Sequence, residues 1–172
     1  ALKDAFEELR NRFENGGNVT GLPTGYTDFD AMTAGLQPTD LIILAARPAM
    51  GKTTFALNIA EYAAIKTKKA VAVFSMEMSA SQLALRLISS NGRINATRLR
   101  TGQLEDEDWS RVTSAIRMIK ETKIFIDDTP GLSPDVLRAK SRRPKREHDL
   151  GLTVIDYLQL MAVPGNRETR AP

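Results

Sequence analysis

Short apolar runs alternate with amphipathic segments along most of the chain. Residues 41–46, 70–75, 124–126 and 152–155 are apolar at nearly every position, which is typical of strands buried on both faces. The longer segments between these runs carry apolar residues at helical spacing. This alternation predicts an α/β fold, in which helices cover both faces of a mostly parallel sheet.

Capping residues mark several helix starts. Ser79 followed by Gln82 is a capping box, and Ser133 followed by Pro134 combines an N-cap with a proline at the first helical position. The acidic run 105–108 suits the positive end of a helix dipole and predicts a long helix from about residue 105. Another helix is predicted at about 52–65, after a glycine-containing loop.

The segment after Pro134 is helical in pattern and basic. Pro144 falls inside it, where a proline costs roughly 3 kcal/mol, so we predict a kink or an early helix end at 142–143. The basic side chains either contact nucleic-acid phosphates or form a solvated helix face, and a charge run of this kind favours the solvated face. They are Arg138, Lys140, Arg142, Arg143, Lys145 and Arg146.

The first residues predict a separate amphipathic helix. Over residues 2–14 an apolar stripe recurs at helical spacing, and two glycines in 15–18 end it. This helix either folds back on its own core or docks on a neighbouring subunit. We therefore divide the chain into a separate helix with a hinge at 1–17 and a single domain at 18–172.

Composition excludes several classes of protein. The chain has 172 residues, no cysteine and a net charge of +3, so disulfides and thiolate metal sites are absent and nucleic-acid binding is permitted but not indicated. The longest apolar run, 41–46, is too short to cross a bilayer, and no signal-peptide core occurs in the first twenty residues. We expect a soluble, cytoplasmic protein with no membrane partner.

A phosphate-binding loop follows the first apolar run. Residues 46–53 match the Walker A pattern, a glycine-rich loop between a strand and a helix, except that alanine replaces the first glycine. Backbone N–H groups and the helix start would bind phosphates, Lys52 would reach the β- and γ-phosphates, and the Thr53 hydroxyl would bind Mg²⁺. The expected ATP-binding residues are Ala46, Arg47, Pro48, Ala49, Met50, Gly51, Lys52, Thr53 and Thr54.

Three carboxylates at predicted strand ends compete for catalytic roles. Asp156 and Asp127 both follow apolar runs, and we favour Asp156 as the magnesium-side carboxylate because its run is the fuller strand. Asp127, with Asp128 beside it, would then be a capping or turn residue. Glu77, directly after 70–75, is the candidate base that orients water; the alternative is a helix-start carboxylate near Ser79.

Two further side chains have ordinary structural interpretations. Trp109 lies in helical register with Val112, Ile116 and Ile119, which favours core packing over base stacking. His148, the only histidine, is interpreted as a helix-end residue rather than as a ligand or base.

Taken together, the motifs resemble the RecA-like ATPase domain of the DnaB-type hexameric replicative helicases. The resemblance runs from about residue 21 to residue 161, and alanine at position 46 is usual in that family. The matching segments are Thr24-Gly25-Tyr26, Ala34-Gly35-Leu36-Gln37-Pro38, Ala45 to Thr53, Ser75-Met76-Glu77-Met78, Arg100-Thr101-Gly102-Gln103-Leu104, Ile126-Asp127-Asp128 and Ile155 to Met161.

The resemblance implies a particular assembly, particular partners and particular roles for the site residues. It implies a homo-hexamer around single-stranded DNA, with primase and helicase-loader partners and with ATP bound between subunits. It also implies that Lys52 and Thr53 bind phosphate and Mg²⁺, that Glu77 activates water, and that Asp156 is the Walker B carboxylate. Residues 2–14 resemble the linker helix that packs on the adjacent subunit.

Further strands of the family, with the arginine finger and the DNA-contacting loops, have no counterpart in this sequence. We therefore expect a partial domain at 18–172 that binds ATP and does not unwind DNA alone. The alternatives are another RecA-like ATPase, of the RadA or KaiC type, or a non-catalytic module in which ATP holds an assembly together.

Overall fold

The computed structural model describes Lys3, Phe6, Glu7, Arg10 and residues 19–162. The chain divides into two compact units, residues 1–52 and residues 53–172. The four described residues of the predicted helix 2–14 are helical and exposed. The rest of that helix, and the proposed boundary at 17/18, lie outside the described residues.

The first unit is organised by a buried aspartate. Asp30 lies in helix α1 (Thr27–Thr33), and its carboxylate accepts hydrogen bonds from the Thr24 backbone N–H at 2.9 Å, the Thr24 hydroxyl at 2.7 Å and the Gly25 N–H at 3.2 Å. These bonds compensate the cost of burying the charge. Gly35 follows α1 with φ +80°, and a Cβ there would lie 2.9 Å from the Leu22 carbonyl oxygen, so only glycine fits.

The prediction of a strand at 41–46 is wrong. Residues 41–47 form no strand, and Leu41, Ile42, Ile43 and Leu44 are between 42% and 80% exposed. The apolar pattern is that of a strand, but a strand also needs a neighbour that supplies hydrogen bonds. In the part of the chain that the structure describes, no other strand pairs with this segment.

The second unit contains a parallel sheet, as predicted, built from three of the four predicted strands. Its strands are β1 (Ala70–Ser75), β2 (Ile124–Asp127) and β3 (Leu150–Asp156), in the order β2-β1-β3. Every residue of β1 is buried. Since successive side chains of a strand point to opposite faces, both faces of the sheet are covered at its centre.

Helices connect and cover the strands. They are α2 (Lys52–Lys66), α3 (Ala80–Gly92), α4 (Ala96–Thr101), α5 (Asp106–Glu121) and α6 (Pro134–His148), and a 3₁₀ turn (Leu158–Leu160) follows β3. The predicted caps are confirmed: Ser79 and Gln82 form the capping box of α3, and Ser133 caps α6. On one face, Leu132 and Leu137 pack with Phe74 and bring α6 against the sheet.

The packing predicted for Trp109 is wrong. The buried stripe of α5 contains Asp108, Val112 and Ala115, whereas Trp109 is 57% exposed and Ile116 lies beside it on the exposed side. Residues 109 and 116 are in helical register with each other, but their stripe lies one residue, or about 100°, from the buried stripe. Register alone does not say which of two adjacent stripes faces the core.

Helix α6 does not end early at Pro144. It continues through the proline to His148, so the predicted end at 142–143 is wrong. Its other turns retain their hydrogen bonds and its inner face packs on the sheet, which outweighs the cost of one interior proline. His148 ends the helix, as predicted, and its ring stacks on Phe125 at a centroid distance of 5.1 Å.

Candidate nucleotide-binding site

The carboxyl ends of the three strands lie along one edge of the sheet. Ser75 at the end of β1 is in register with Asp156 at the end of β3, and Phe74 is in register with Asp127 at the end of β2. In open α/β sheets this edge is where ligands bind. The topology therefore brings both candidate aspartates and the turn after β1 to the expected place.

Thr53 and Asp156 are in direct contact. Thr53 lies in the first turn of α2, and its hydroxyl donates a 2.8 Å hydrogen bond to Oδ2 of Asp156, which is only 6% exposed. The bond joins the start of the helix to the end of β3 across 103 residues of sequence. A hydroxyl and a carboxylate converging on one point are the oxygen donors that Mg²⁺ takes beside nucleotide phosphates.

The loop before α2 has the turns that a phosphate-binding loop needs. The Met50 N–H donates to the Arg47 carbonyl, and Ala49 and Gly51 have φ values of +63° and +84°. Left-handed residues turn successive backbone N–H groups to one side, which makes a concave site for anions. A Cβ at Gly51 would meet nothing within 4 Å, so its backbone conformation, rather than crowding, favours glycine.

A short turn after β1 presents Glu77. The Ser75 hydroxyl accepts from the Met78 N–H at 3.1 Å and donates to the Met78 carbonyl, which closes the turn around Glu77. The Met76 N–H donates to the Asp156 carbonyl at 2.8 Å, so this turn is fastened to the end of β3. Glu77 is exposed, and among the described residues nothing forms a hydrogen bond or ion pair with its carboxylate.

The contacts at the start of α3 do not support the alternative interpretation, in which Glu77 is a helix-start carboxylate. The first N–H groups of α3 are satisfied by two other side chains. Ser79 accepts from the Gln82 N–H, and Oδ2 of Asp128 accepts from the Ala80 N–H at 2.8 Å. The cap is thus built without Glu77, and its carboxylate is left at the nucleotide edge.

Asp127 is occupied by contacts of its own. One oxygen accepts from the Thr129 N–H at 3.0 Å, and the other forms an ion pair with Lys140 of α6. Burial raises the pKa of Asp127, but the hydrogen bonds from Lys140 and Thr129 outweigh it and leave that pKa below its ordinary value. Asp127 is therefore a turn residue paired with a lysine, and the geometry favours Asp156 as the metal-side carboxylate.

The structure adds one residue that the sequence reasoning missed. Arg86, on α3, places its Nη1 atom 3.4 Å from the Thr54 hydroxyl in the first turn of α2. Its guanidinium thus lies near the first turn of that helix. The two residues are 32 apart in sequence, so no local pattern could have paired them.

The donor set fits a nucleotide-bound Mg²⁺ better than a metal held by protein alone. No group of three or more histidine, cysteine, aspartate or glutamate side chains that could hold a metal occurs among the described residues. Mg²⁺ in ATP sites is held by one or two protein oxygens together with phosphates and water. Thr53 and Asp156 supply such a pair.

With this geometry in place, the comparison with known families is decisive. Residues 21–171 match the family described as the DnaB-like helicase C terminal domain. The chain belongs to this family. The resemblance and the RecA-like fold predicted from the sequence are thereby confirmed.

Relatives and solved structures agree with the family match. The chain is 52% identical over 162 residues to replicative DNA helicase DnaC of Bacillus subtilis, and 52% identical over 168 residues to replicative DNA helicase DnaB of Geobacillus stearothermophilus. The matches cover 94% and 97% of the chain, and 35% and 36% of the two relatives. The chain thus spans about a third of the length of these DnaB-like proteins.

Two solved structures share the fold. One, described as an ATPase domain, superposes with a TM-score of 0.90 at 33% identity, covering 99% of this chain and 61% of that one. A DnaB-like replicative helicase, whose structure was described with its interactions with primase, gives 0.87 at 33% identity and covers 99% and 42%. No helix among the described residues of this DnaB-like chain is long and apolar enough to span a membrane.

Proposed function

We propose that this chain is the ATP-binding core of a replicative DNA helicase, in which residues 46–54 bind the triphosphate and Thr53 with Asp156 holds Mg²⁺. The observation that carries the proposal is the 2.8 Å hydrogen bond between the Thr53 hydroxyl and the buried Asp156 carboxylate. This bond preorganises two oxygen donors before any ligand arrives. Preorganised donors lose little free energy on binding, which is the usual advantage of such sites.

Each residue of the site has one role in the proposal. Thr53 and Asp156 would hold Mg²⁺, and the ion would supply positive charge against the charge that develops during γ-phosphate transfer. Lys52 binds the phosphates, and the loop N–H groups with the start of α2 add positive potential. Glu77, held at the tip of its turn and without a protein partner among the described residues, orients the attacking water and accepts its proton.

Arg86 supports the same site from α3. Its guanidinium lies beside Thr54, so it can donate to a phosphate oxygen or to the residues that hold one. We propose it as a positioning residue for the triphosphate.

The activity of the whole helicase goes beyond what these residues do alone. The relatives are named replicative DNA helicases, and one related helicase structure was described with primase. These names support a proposal that the complete protein is a cytoplasmic homo-hexamer that translocates on single-stranded DNA and works with primase and a loader. Within it we propose residues 1–17 as the linker helix and hinge, and residues 18–172 as part of the motor domain.

Mg-ATP binding to matched aspartate variants tests the site. Asp156→Asn should weaken Mg²⁺-dependent ATP binding by at least about tenfold, because one metal-side oxygen loses its charge. Asp127→Asn makes the same chemical change on the adjacent strand end and should leave nucleotide affinity within about twofold, since Asp127 pairs with Lys140 instead. Lys52→Ala should abolish binding with or without Mg²⁺.

Hydrolysis separates the motor from a non-catalytic assembly module. Glu77→Gln should retain Mg-ATP binding while turnover, measured with and without single-stranded DNA, falls at least roughly 100-fold, the usual contribution of a general base. If Asp127→Asn weakened binding as much as Asp156→Asn, the metal assignment would be wrong. If Glu77→Gln turned over ATP at the native rate, the assignment of Glu77 as the base would be wrong.

A further inference from the structure

The turn that carries Glu77 is bonded to residues at or beside the ends of all three strands. It directly follows β1, and the Met76 N–H at its start donates to the carbonyl of Asp156 in β3. At its other end the Ala80 N–H donates to the carboxylate of Asp128, the residue that follows β2. The position of Glu77 therefore depends on contacts with two neighbouring strands as well as on its own strand.

Ser75 closes the turn from its buried side. The first five residues of β1 are apolar, and serine at the sixth position, which is equally buried, is an exception that core packing does not require. Its hydroxyl accepts a hydrogen bond from the Met78 N–H at 3.1 Å and donates one to the Met78 carbonyl at 2.8 Å. These two bonds compensate the cost of burying the hydroxyl. One side chain thus binds both main-chain groups of the residue that follows Glu77.

Asp128 binds the other end of the turn. Its Oδ2 atom accepts from the Ala80 N–H at 2.8 Å, across 48 residues of sequence, and its side chain is exposed. The adjacent Asp127 pairs instead with Lys140 of α6, so the two neighbouring carboxylates contact two different helices. A carboxylate at the first N–H groups of a helix is also stabilised by the helix dipole. The contact fixes the point at which the turn passes into α3.

A general base needs an accurate position, because a misplacement of about 1 Å can lower a rate roughly 100-fold. Glu77 is exposed, and among the described residues its carboxylate has no hydrogen-bond or ion-pair partner, so the main chain of the turn has to supply that position. We propose that Ser75 and Asp128 are positioning residues for Glu77, which act through the turn and do not contact the nucleotide. The proposal rests on the proposed role of Glu77 in ATP hydrolysis.

Matched variants of the full protein test the two positioning residues. Ser75→Ala removes the hydroxyl, and Ser89→Ala is its control, because the Ser89 hydroxyl bonds the Ile94 carbonyl at the opposite end of α3. Asp128→Ala removes the acceptor for the Ala80 N–H, whereas Asp128→Asn removes the charge and keeps an oxygen that can accept. ATP turnover and Mg-ATP affinity are measured for each variant, with and without single-stranded DNA. Asp128 is exposed, so its variants keep the test decisive if Ser75→Ala does not fold.

The expected effect is on kcat and not on nucleotide affinity. Ser75→Ala and Asp128→Ala should each lower kcat about tenfold, a part of the roughly 100-fold that a general base contributes, while Mg-ATP affinity stays native. Ser89→Ala and Asp128→Asn should retain the native kcat. Native turnover in Ser75→Ala, or an equal loss in Ser89→Ala, would overturn the role of Ser75. An equal loss in Asp128→Asn would show that charge, rather than the hydrogen bond, matters at position 128, and would overturn the role of Asp128.

Combination with Glu77→Gln distinguishes positioning from a general structural role. If Ser75 acts through Glu77, adding Ser75→Ala to Glu77→Gln should lower kcat no further, because the base that it positions is already absent. Losses that multiply in the double variant would show that Ser75 acts independently of Glu77, which contradicts the proposal. If Glu77→Gln alone kept the native rate, or if the native protein had no turnover, the proposed function itself would fail, so the two failures are distinguishable.

Amide hydrogen exchange without nucleotide gives a readout that does not depend on turnover. The Met78 N–H in Ser75→Ala and the Ala80 N–H in Asp128→Ala should each exchange at least roughly tenfold faster than in the native protein, since each loses its acceptor. Exchange at both positions should be native in Ser89→Ala. Unchanged exchange in the first two variants would show that these side chains do not fix the turn, and the proposal would then be wrong.

Discussion

Replacing Pro144 by alanine should stabilise the chain, although proline lies in a helix that forms without difficulty. The residue is inside α6, where it donates no N–H to the carbonyl of Lys140 four residues earlier, and its ring crowds that carbonyl. Restoring the donor and removing the ring should contribute about 3 kcal/mol. Alanine also gives the unfolded chain more freedom, which offsets about 0.4–1 kcal/mol. The net gain is therefore about 2 kcal/mol in the free energy of unfolding.

Thermal unfolding followed by circular dichroism measures this gain. For a domain of this size, 1 kcal/mol shifts Tm by about 2–4 °C, so Pro144→Ala should raise Tm by about 4–8 °C. The same helix supplies a matched control. Pro134 occupies the first helical position, where the missing N–H has no helical acceptor and the fixed φ is favourable. Pro134→Ala should therefore give no gain, or a loss below about 1 kcal/mol.

The comparison between the two prolines can refute the reasoning. If Pro144→Ala raises Tm no more than Pro134→Ala does, α6 does not continue through residue 144 in solution as the structure has it. A helix that ended at 142–143, as the sequence alone predicts, would give that result, because alanine would then restore no hydrogen bond.

Three further predictions concern charged side chains. Burial raises the pKa of Glu61, so its ionised form is disfavoured in the folded state. Glu61→Gln should therefore raise Tm at neutral pH, and the difference in Tm between variant and native chain should vanish as the pH falls below about 4.3. A hydrogen bond from the Glu105 N–H is the largest cause that lowers the pKa of Asp108. This carboxylate therefore stabilises the fold above about pH 3.9, and the contribution is lost on acidification. Asp108→Asn should lower Tm at neutral pH and make Tm less dependent on pH in acid. Arg86→Ala should weaken ATP binding without lowering Tm by more than a degree or two, because its contact with Thr54 is exposed; a native nucleotide affinity would show that Arg86 has no part in the site.

Features that depend on short-range chemistry could be predicted from the sequence. The Ser79–Gln82 capping box, the Ser133 cap and the bounds of β1 are determined by neighbouring residues. The loop at 46–53 and the strand-end aspartates could be proposed for the same reason, since each is a local pattern with a chemical meaning. Those predictions needed no knowledge of what lies across the fold.

Features that depend on distant partners could not be predicted. The apolar segment 41–46 has the composition of a strand, but pairing is a property of two segments, and the described residues supply none. Trp109 lies on the wrong one of two adjacent stripes, a difference set by how α5 packs against α3. The sequence favours Asp156 over Asp127 only because of strand length, and the contacts that support this preference, from Thr53 and from Lys140, are remote in sequence.

The hydrogen bond from the Met76 N–H to the Asp156 carbonyl has a consequence for how the site tolerates change. It is a bond between main-chain atoms, so it does not depend on which side chains occupy positions 76 and 156. The turn that carries Glu77 is therefore anchored by backbone to the strand that carries Asp156, the proposed metal-side carboxylate. Substitutions of the flanking methionines can alter the polarity around Glu77 while the separation of the two carboxylates is preserved. The water activation that we propose for Glu77 is thus adjustable, by selection or by design, independently of its geometry.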